Sequence, residues 1–405
     1  MFGEDGLSNE SVLSAQPSSA GGVDSAHTLT DLDRKLLDVA LRLGAQNQGR
    51  TAPNPSVGAL VVQFDDDGRS KIVGRGVTAV SGRPHAEVVA LQEAGALAKG
   101  ATCYVSLEPC SHYGKTPPCV EALVESGIAR VVVGVRDPDN RVSGLGYKYL
   151  RDNGVIVFQD IAMLESMSLH QGHFSRIQSG RPAVSVKLAV SKDGMIGRTG
   201  EGFVEITGEQ ARRAGHALRA QTDAIMVGVG TVLADDPDLT CRLHGMEDWS
   251  PVRVVLDADA RTPVNAKLFD KVTRVPVRVY VSENADQGRV EALRSAGANV
   301  VVSDLDPNGR LDLLFVLSDL HKVDVTNLLV EGGAKLANSF LNANLVDRFY
   351  FFEGAGEVGE AGVPALPNSE RLGDRLGEVG LMPGTITRWG DDVLQVWTNP
   401  SMGIG

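Results

Sequence analysis

The stretch Pro84-His85-Ala86-Glu87, together with Pro109-Cys110 and Cys119 further along, organises the first half of the chain. These residues supply one imidazole, two thiols and one carboxylate. Apolar residues at helical spacing predict a helix from His85 to about 97, and a β-type apolar run predicts a strand over 103–107. The chemical groups therefore lie at the ends of regular elements.

His-x-Glu, then Pro-Cys, then a second Cys is the pattern of catalytic zinc deaminases. Three protein ligands, which we assign to His85, Cys110 and Cys119, leave a fourth position for water, as in catalytic rather than structural zinc sites. Glu87 lies two residues beyond His85, so we interpret it as the group that moves protons between water and the departing nitrogen. We also expect both cysteines near helix starts, where thiolates are favoured.

The spacing of these residues is also compatible with two other interpretations. His85 could be a satisfied core histidine beside two buried free thiols. Alternatively, the zinc could be structural, with His112 as a fourth protein ligand. We prefer the catalytic interpretation and treat His112 as a substrate contact.

Composition narrows the class of protein. A chain of 405 residues predicts two or three domains. The formal net charge of −12 argues against an extended nucleic-acid surface, and four cysteines favour a metal or reduced thiols, hence a cytosolic protein.

No apolar run reaches the roughly 20 residues of a membrane span. Residues 1–30 read as a disordered extension without the pattern of a signal peptide.

The first half alternates helices and strands, which predicts a sheet covered by helices. Asp31 is the predicted N-cap of the first helix. Asn54 stands between two prolines and either occupies a plain turn or presents its amide to a substrate. The predicted helices cover 32–46, 85–97 and 118–125, and the predicted strands cover 57–63, 72–77, 103–107, 130–135 and 155–158.

A second α/β unit is predicted to begin after the boundary at 178–182, so we divide the chain into 31–178 and 182–405. Gly228-x-Gly230 is only a weak dinucleotide pattern, whereas Glu331-Gly332-Gly333 between a strand and a helix suits a phosphate better. A plain tight turn remains the alternative there. Predicted strands cover 183–190, 223–228, 252–256, 277–281, 300–302 and 328–330, and predicted helices cover 208–220, 290–296, 311–320 and 335–345.

The segment LEPCSHYGKTPPC at 107–119 resembles the deaminase part of the bifunctional riboflavin-biosynthesis deaminase-reductases, as do APNPSVG at 52–58 and PHAEV at 84–88. The resemblance implies a cytidine-deaminase-like α/β/α domain that deaminates 2,5-diamino-6-ribosylamino-4(3H)-pyrimidinone 5′-phosphate. It also implies that Asn54, His112 and Lys115 contact the pyrimidine and its phosphate. One departure is Thr78, where the family usually has a substrate-binding histidine.

The stretches 186–194, 218–225 and 228–237 resemble the reductase domain of the same family, which has a dihydrofolate-reductase-like α/β fold and uses NADPH. The resemblance implies that Lys187 polarises the sugar carbonyl. It implies cofactor contacts at Ala189, Thr231, Asp235 and Gly333, and substrate contacts at Lys187, Arg219, Leu239, Arg242 and Glu331. An arginine fork suits a ribose phosphate chemically.

Two departures from the family pattern fall in this second half. Glu205 stands where many members have tryptophan, and residues 351–357 replace a proline-rich glycine loop. Cofactor stacking at position 205 is therefore in question.

Two other functions compete with a two-step enzyme acting on small ribosylated pyrimidine phosphates. One is a deaminase that edits bases in nucleic acid, which the acidic charge disfavours. The other is an active deaminase whose C-terminal half is a degenerate dimerisation module. We also expect a homo-oligomer that binds neither nucleic acid nor membranes.

Overall fold

The computed structural model describes residues 28–366 and 371–400, which form two β-sheets flanked by helices. The predicted N-terminal extension, apart from its last three residues, lies outside the described residues. Within the part described, no helix combines the length and the apolar character that crossing a membrane would require. All four cysteines are free thiols.

The first sheet has five strands in the order β2-β1-β3-β4-β5. β1 is antiparallel to β2 and β3, and β3, β4 and β5 run parallel. The strands are β1 (Gly58–Phe64), β2 (Ser70–Val77), β3 (Thr102–Val105), β4 (Arg130–Val133) and β5 (Ile156–Phe158). The helices are α1 (Asp31–Ala45), α2 (Ala86–Ala94), α3 (Cys119–Glu125), α4 (Leu145–Asp152), α5 (Met163–Leu169) and α6 (Gln171–Ser179).

These elements confirm the predicted strands and correct several helix ends. The N-cap of α1 is Thr30 rather than Asp31, because Thr30 and Asp33 form a reciprocal capping box. Helix α2 ends at Ala94, because Gly95 follows with φ of 52°, and His85 is its N-cap instead of its first helical residue. Helices α4, α5 and α6 were not predicted, since segments of seven to nine residues show too little periodicity.

Close backbone packing fixes α2 on the sheet. A side chain at Gly76 in β2 would collide with the carbonyl oxygen of Ala86, so only glycine lets the first turn of α2 lie this close. Beneath α1, Asp33 is buried in an ion pair with Arg130 at 2.6 Å and accepts a hydrogen bond from the Tyr104 hydroxyl. Close packing on β2 therefore positions the start of α2, which carries His85 and Glu87, and the buried ion pair fixes α1 to the same sheet.

The second sheet has nine strands in the order β11-β10-β9-β8-β12-β6-β13-β16-β15. The strands from β11 to β13 run parallel, and β16 is antiparallel to both β13 and β15. These strands are β6 (Ala183–Val190), β8 (Ala224–Gly228), β9 (Val252–Leu256), β10 (Val277–Val281), β11 (Asn299–Val302), β12 (Asn327–Glu331), β13 (Arg348–Glu353), β15 (Met382–Trp389) and β16 (Asp392–Thr398). A separate pair joins β7 (Met195–Arg198) to β14 (Gly362–Pro364).

Helices cover both faces of this sheet, and apolar cores lie on either side of it. The helices are α7 (Glu209–Ala220), α8 (Val229–Asp235), α9 (Gln287–Ser295), α10 (Leu313–Lys322), α11 (Ala334–Asn342) and α12 (Leu372–Glu378). The predictions missed α8, which begins directly after β8. They also missed the β15–β16 hairpin and the β7–β14 pair. The predicted central strands, which are uniformly apolar, are confirmed.

Polar contacts connect the two halves of the chain. Arg176 in α6 donates to the His321 carbonyl oxygen at 2.9 Å and pairs with Asp324 at 2.9 Å. Arg348 in β13 donates to the Ser168 hydroxyl at 2.6 Å. The two sheets therefore belong to one connected molecule.

Candidate active sites

A cluster of three potential metal ligands lies at the edge of the first sheet. One ligand atom from each of His85, Cys110 and Cys119 lies within 4.8 Å of the others. The His85 Nδ1 atom is 3.6 Å from the Cys110 sulfur and 3.3 Å from the Cys119 sulfur. Two sulfurs and one imidazole nitrogen that converge in this way suit zinc and leave a fourth ligand position. His112 is not a member of this group, which disfavours a four-ligand structural site.

Glu87 lies beside the cluster on the first turn of α2. Its side chain is 4% exposed and hydrogen-bonds with the Cys119 thiol. Burial raises the pKa of Glu87 to about 7, against the opposing influence of His85. A carboxyl group with this pKa exchanges protons readily near neutral pH.

The two thiols have different electrostatic surroundings. Cys119 begins α3, as expected, whereas Cys110 lies in the loop after β3, so the expectation of a helix start is wrong for Cys110. The Cys110 sulfur nevertheless accepts a hydrogen bond from the Cys119 backbone N–H at 3.3 Å. Hydrogen bonding from the Cys119 thiol, opposed by burial and assisted by His85, lowers the pKa of Cys110 to about 4. Cys110 is thus prepared to act as a thiolate ligand.

The predicted substrate contacts of the first half surround this cluster. The Asn54 Nδ2 atom donates to the Gly82 carbonyl oxygen at 2.7 Å and lies 3.5 Å from the His85 Nε2 atom. His112 and Lys115 lie in the loop between the two cysteines, and the buried His112 Nδ1 atom has no hydrogen-bond partner among the described residues. Thr78 is 1% exposed and accepts a hydrogen bond from Val57 N at 3.0 Å, so its hydroxyl stabilises the backbone.

Sequence reasoning missed the role of Glu108 in shaping this region. Its buried carboxylate accepts backbone hydrogen bonds from Asp137, Gly144 and Gly146, at 3.0–3.3 Å. Burial raises the pKa of Glu108, and these N–H groups oppose the rise. The sequence offered one indication of this role: Glu108 directly follows an apolar predicted strand and lies two residues before Cys110.

The predicted residues of the second half gather where β6 and β12 lie side by side. Strand register places Lys187 opposite Glu331. Arg219 on α7 forms a two-pronged ion pair with Glu331, with both N–O distances at 2.8 Å. Burial, together with the charge of Arg219, lowers the pKa of Lys187, and Glu331 opposes this change. Burial alone would raise the pKa of Glu331, but Arg219 outweighs it and holds the value at about 2.

Of the predicted cofactor residues, Ala189 lies near the end of β6, Thr231 and Asp235 lie in α8, and Gly333 follows β12. The Thr231 hydroxyl accepts a hydrogen bond from Gly333 N at 3.3 Å. Gly332 has φ of 132°, and a side chain there would approach the Thr231 hydroxyl within 2.9 Å. Ala189 is partly buried beside Phe352, and burial raises the pKa of Asp235. The two chain segments around Thr231 and Gly333 therefore meet closely, as a phosphate-binding turn requires.

The two remaining predicted substrate contacts, Leu239 and Arg242, lie in different surroundings. Leu239 is 2% exposed, so its side chain belongs to the apolar core. Arg242 donates through its backbone N–H to His216 at 3.4 Å. Sequence reasoning missed His216, whose pKa burial lowers to about 4 with help from Arg219. Its position three residues before Arg219 on one helix was the available indication.

The departures in the second half have local structural consequences. Glu205 pairs with Arg212 near the start of α7, so its side chain is already engaged. In the altered loop after β13, a side chain at Gly354 would collide with the Ile206 carbonyl oxygen. The loop therefore packs directly on the segment that carries Glu205.

Known protein families match both halves of the chain. A family model of the cytidine and deoxycytidylate deaminase zinc-binding region matches residues 30–135, and the RibD C-terminal domain matches residues 182–382. The riboflavin biosynthesis protein RibD of Aquifex aeolicus is 36% identical over 350 residues, covering 85% of this chain and 94% of that protein. The chain belongs to the RibD family.

Solved structures of RibD proteins share the fold of both halves. RibD of Acinetobacter baumannii superposes with a TM-score of 0.76 at 31% identity, covering 90% of this chain and 98% of that one. The diaminohydroxyphosphoribosylaminopyrimidine deaminase/5-amino-6-(5-phosphoribosylamino)uracil reductase of Thermotoga maritima gives 0.75 at 29% identity, covering 91% and 99%. This RibD-family chain is therefore a bifunctional enzyme of riboflavin biosynthesis, and no match favours a base-editing deaminase or a non-catalytic C-terminal module.

Proposed function

We propose that the chain catalyses two consecutive reactions. Residues 31–178 hydrolytically deaminate 2,5-diamino-6-ribosylamino-4(3H)-pyrimidinone 5′-phosphate. Residues 182–405 then reduce the ribosyl group of 5-amino-6-(5-phosphoribosylamino)uracil to ribityl with NADPH. The observation that carries this proposal is the convergence of His85, Cys110 and Cys119 beside buried Glu87.

In the first reaction, His85, Cys110 and Cys119 hold one zinc ion per chain. When bound, zinc supplies a water that ionises near neutral pH, at a pKa of about 7. Glu87 takes a proton from the water and delivers it to the departing nitrogen, which leaves as ammonia. The raised pKa of Glu87 supports this role, because such a carboxyl group can both accept the proton from water and release it to the nitrogen.

Substrate recognition in the first site falls to groups around the cluster. Asn54 presents its amide to the pyrimidine, while His112 and Lys115 contact the pyrimidine and its phosphate. The unpartnered His112 Nδ1 atom supports this role, because a buried polar atom without a partner is costly until a ligand satisfies it. The packed hydroxyl of Thr78 supports the absence of a substrate contact there.

In the second reaction, Ala189, Thr231, Asp235 and Gly333 hold NADPH, which supplies the hydride when bound. Lys187 would assist the opening of the ribose ring: the bond from C1′ to the ring oxygen breaks, C1′ takes the hydride, and the oxygen takes a proton to become a hydroxyl of the ribityl chain. Arg219, Arg242, Glu331 and the backbone of Leu239 orient the ribose phosphate. The ion pair between Arg219 and Glu331 supports this assignment, because it fixes both side chains next to Lys187.

A coupled assay tests both reactions at once. The purified chain is given the diaminopyrimidine phosphate, and ammonia release and NADPH oxidation are followed separately. We expect zinc chelation to stop ammonia release but not NADPH oxidation when the deaminated product is supplied. Deamination without any NADPH consumption would contradict the second reaction, and absence of ammonia release from zinc-loaded protein would contradict the first.

Two broader assignments stay predictions. A homo-oligomer is expected, and sedimentation of the purified chain measures its mass directly. A cytosolic location is also expected, and fractionation of cells that produce the full chain checks it.

A further inference from the structure

The space above Gly114, in the loop between the two cysteines of the zinc cluster, lies between the side chains of Arg83 and His112. A side-chain carbon at Gly114 would lie 3.6 Å from Arg83 Nη2 and 4.0 Å from His112 Nε2. The backbone of Gly114 does not adopt the positive φ that favours glycine. Glycine is therefore not needed for the turn, and its effect is to leave room between two nitrogen-bearing side chains.

Arg83 points its guanidinium towards this space. Its Nη1 atom donates to the Thr116 hydroxyl at 2.7 Å and lies 3.3 Å from His85 Nε2. Among the described residues, no carboxylate lies within ion-pair distance of Arg83, and its polar contacts are those with Thr116 and His85. Its Nε and Nη2 groups likewise have no hydrogen-bond partner in the part of the chain described.

A partly buried guanidinium without a carboxylate partner favours an anionic ligand. The two free groups, Nε and Nη2, form the fork that binds a phosphate through paired hydrogen bonds. Lys115 follows Gly114 directly in the same loop and is exposed, so a further cation is available next to Gly114 in the chain. The charge of these groups fits a phosphate monoester.

We propose that Arg83 and the space above Gly114 bind the 5′-phosphate of the deaminase substrate, between Arg83 and His112. This inference rests on the proposed deaminase function and deepens it. Arg83 thereby makes the first reaction selective for the phosphorylated over the dephosphorylated ribosylaminopyrimidine. Thr116 positions the guanidinium for that contact.

Equilibrium binding tests the pocket without turnover. In a zinc-loaded Glu87→Gln background, calorimetry measures the dissociation constants of the diaminopyrimidine phosphate and of its dephosphorylated form. We expect Arg83→Ala to weaken the phosphorylated ligand about 10- to 100-fold, as for lost hydrogen bonds to a charged group. The dephosphorylated ligand should change less than about 3-fold, within the spread of a surface substitution.

Two further variants separate phosphate binding from a structural role. Gly114→Ala fills the space and should weaken only the phosphorylated ligand, whereas Arg83→Lys should restore part of the affinity. Arg69→Ala removes an exposed arginine that pairs only with Asp67, at 3.6 Å, and serves as the matched control. Zinc content, measured for every variant, shows whether the metal cluster is intact.

An equal loss of affinity for both ligands in Arg83→Ala, reproduced by Thr116→Val, would show that Arg83 merely tethers the loop and would overturn the proposal. Should Arg83→Ala lose zinc, Arg83→Lys and Gly114→Ala carry the same comparison. Wild-type protein that deaminates both compounds with the same KM contradicts the phosphate pocket alone. Wild-type protein that deaminates neither contradicts the proposed function itself.

Discussion

The deaminase site draws its metal ligands from residues 85–119, whereas the reductase site draws Lys187, Arg219 and Glu331 from two strands and a helix far apart in the chain. In the first site, one loop separates the two cysteines, and His85 lies at the start of α2 in the same stretch of chain. In the second, the register of β6 against β12 decides which side chains meet. The chemistry of the first site is therefore encoded by local spacing, and that of the second by long-range strand pairing.

The largest expected effect separates the two sites completely. Glu87→Gln should lower the rate of ammonia release by about 10²–10⁴-fold, because the glutamine amide cannot move the proton. Zinc content should stay unchanged, as should NADPH oxidation with supplied deaminated product. Glu93→Gln on the same helix, an exposed residue paired with Arg75, is the control. Full deamination by Glu87→Gln would refute the role given to this residue.

The reciprocal experiment addresses the second site. Lys187→Met should lower NADPH oxidation by about 10²–10³-fold, the usual cost of losing one preorganised electrostatic group. Ammonia release should persist, and NADPH should still protect the protein against thermal unfolding. Lys192→Met, at an exposed position just after the same strand, is the control. Undiminished reduction in Lys187→Met would show that another group assists the opening of the ribose ring.

A measurement of stability tests whether the ion pair between Arg219 and Glu331 organises the reductase site. Glu331→Gln leaves Arg219 buried without its partner, which should lower the free energy of unfolding by about 3–5 kcal/mol. Denaturant titration followed by tryptophan fluorescence measures the change. Glu283→Gln, at an exposed loop position, should change it little. A loss below about 1 kcal/mol would mean that the ion pair is solvated and does not organise the site.

Acid sensitivity gives the smallest expected effect. Burial, with a contribution from His173, lowers the pKa of His170 to about 3, and this histidine lies within hydrogen-bond distance of Ser106 beneath the first sheet. The unfolded chain takes up a proton on His170 below about pH 6.5 and the folded chain does not, so stability falls as pH drops from 6.5 towards 3. Between pH 6.5 and 5 the loss should be about 2 kcal/mol.

Thermal unfolding at pH 7 and pH 5 measures this slope. His170→Gln cannot be protonated, so its melting temperature should fall less than that of the wild type over the same interval. His244→Gln replaces an exposed histidine and should keep the wild-type slope. Identical slopes in wild type and His170→Gln would show that other groups govern acid unfolding. His216, which burial also keeps neutral, offers the matching experiment in the reductase half.

Secondary structure was predicted correctly where the pattern within one short segment is sufficient. The sequence predicted the central strands of both sheets, because each is a short apolar run between turn residues. It missed α4, α5, α6 and the β15–β16 hairpin, whose elements are too short or too exposed for a periodic pattern. The end of α2 was misplaced because a glycine with positive φ stops it.

By itself, the sequence determined the pattern that predicts His85, Cys110 and Cys119 as zinc ligands and Glu87 as the group that moves the proton. Only the tertiary structure brought Glu331 to Arg219 and Lys187, and Arg83 to Gly114 and Thr116. The physical reason is the separation along the chain between the residues that meet. Ligand spacing within a loop is set by covalent geometry, whereas contacts between distant segments depend on strand register and helix packing, which no single segment encodes.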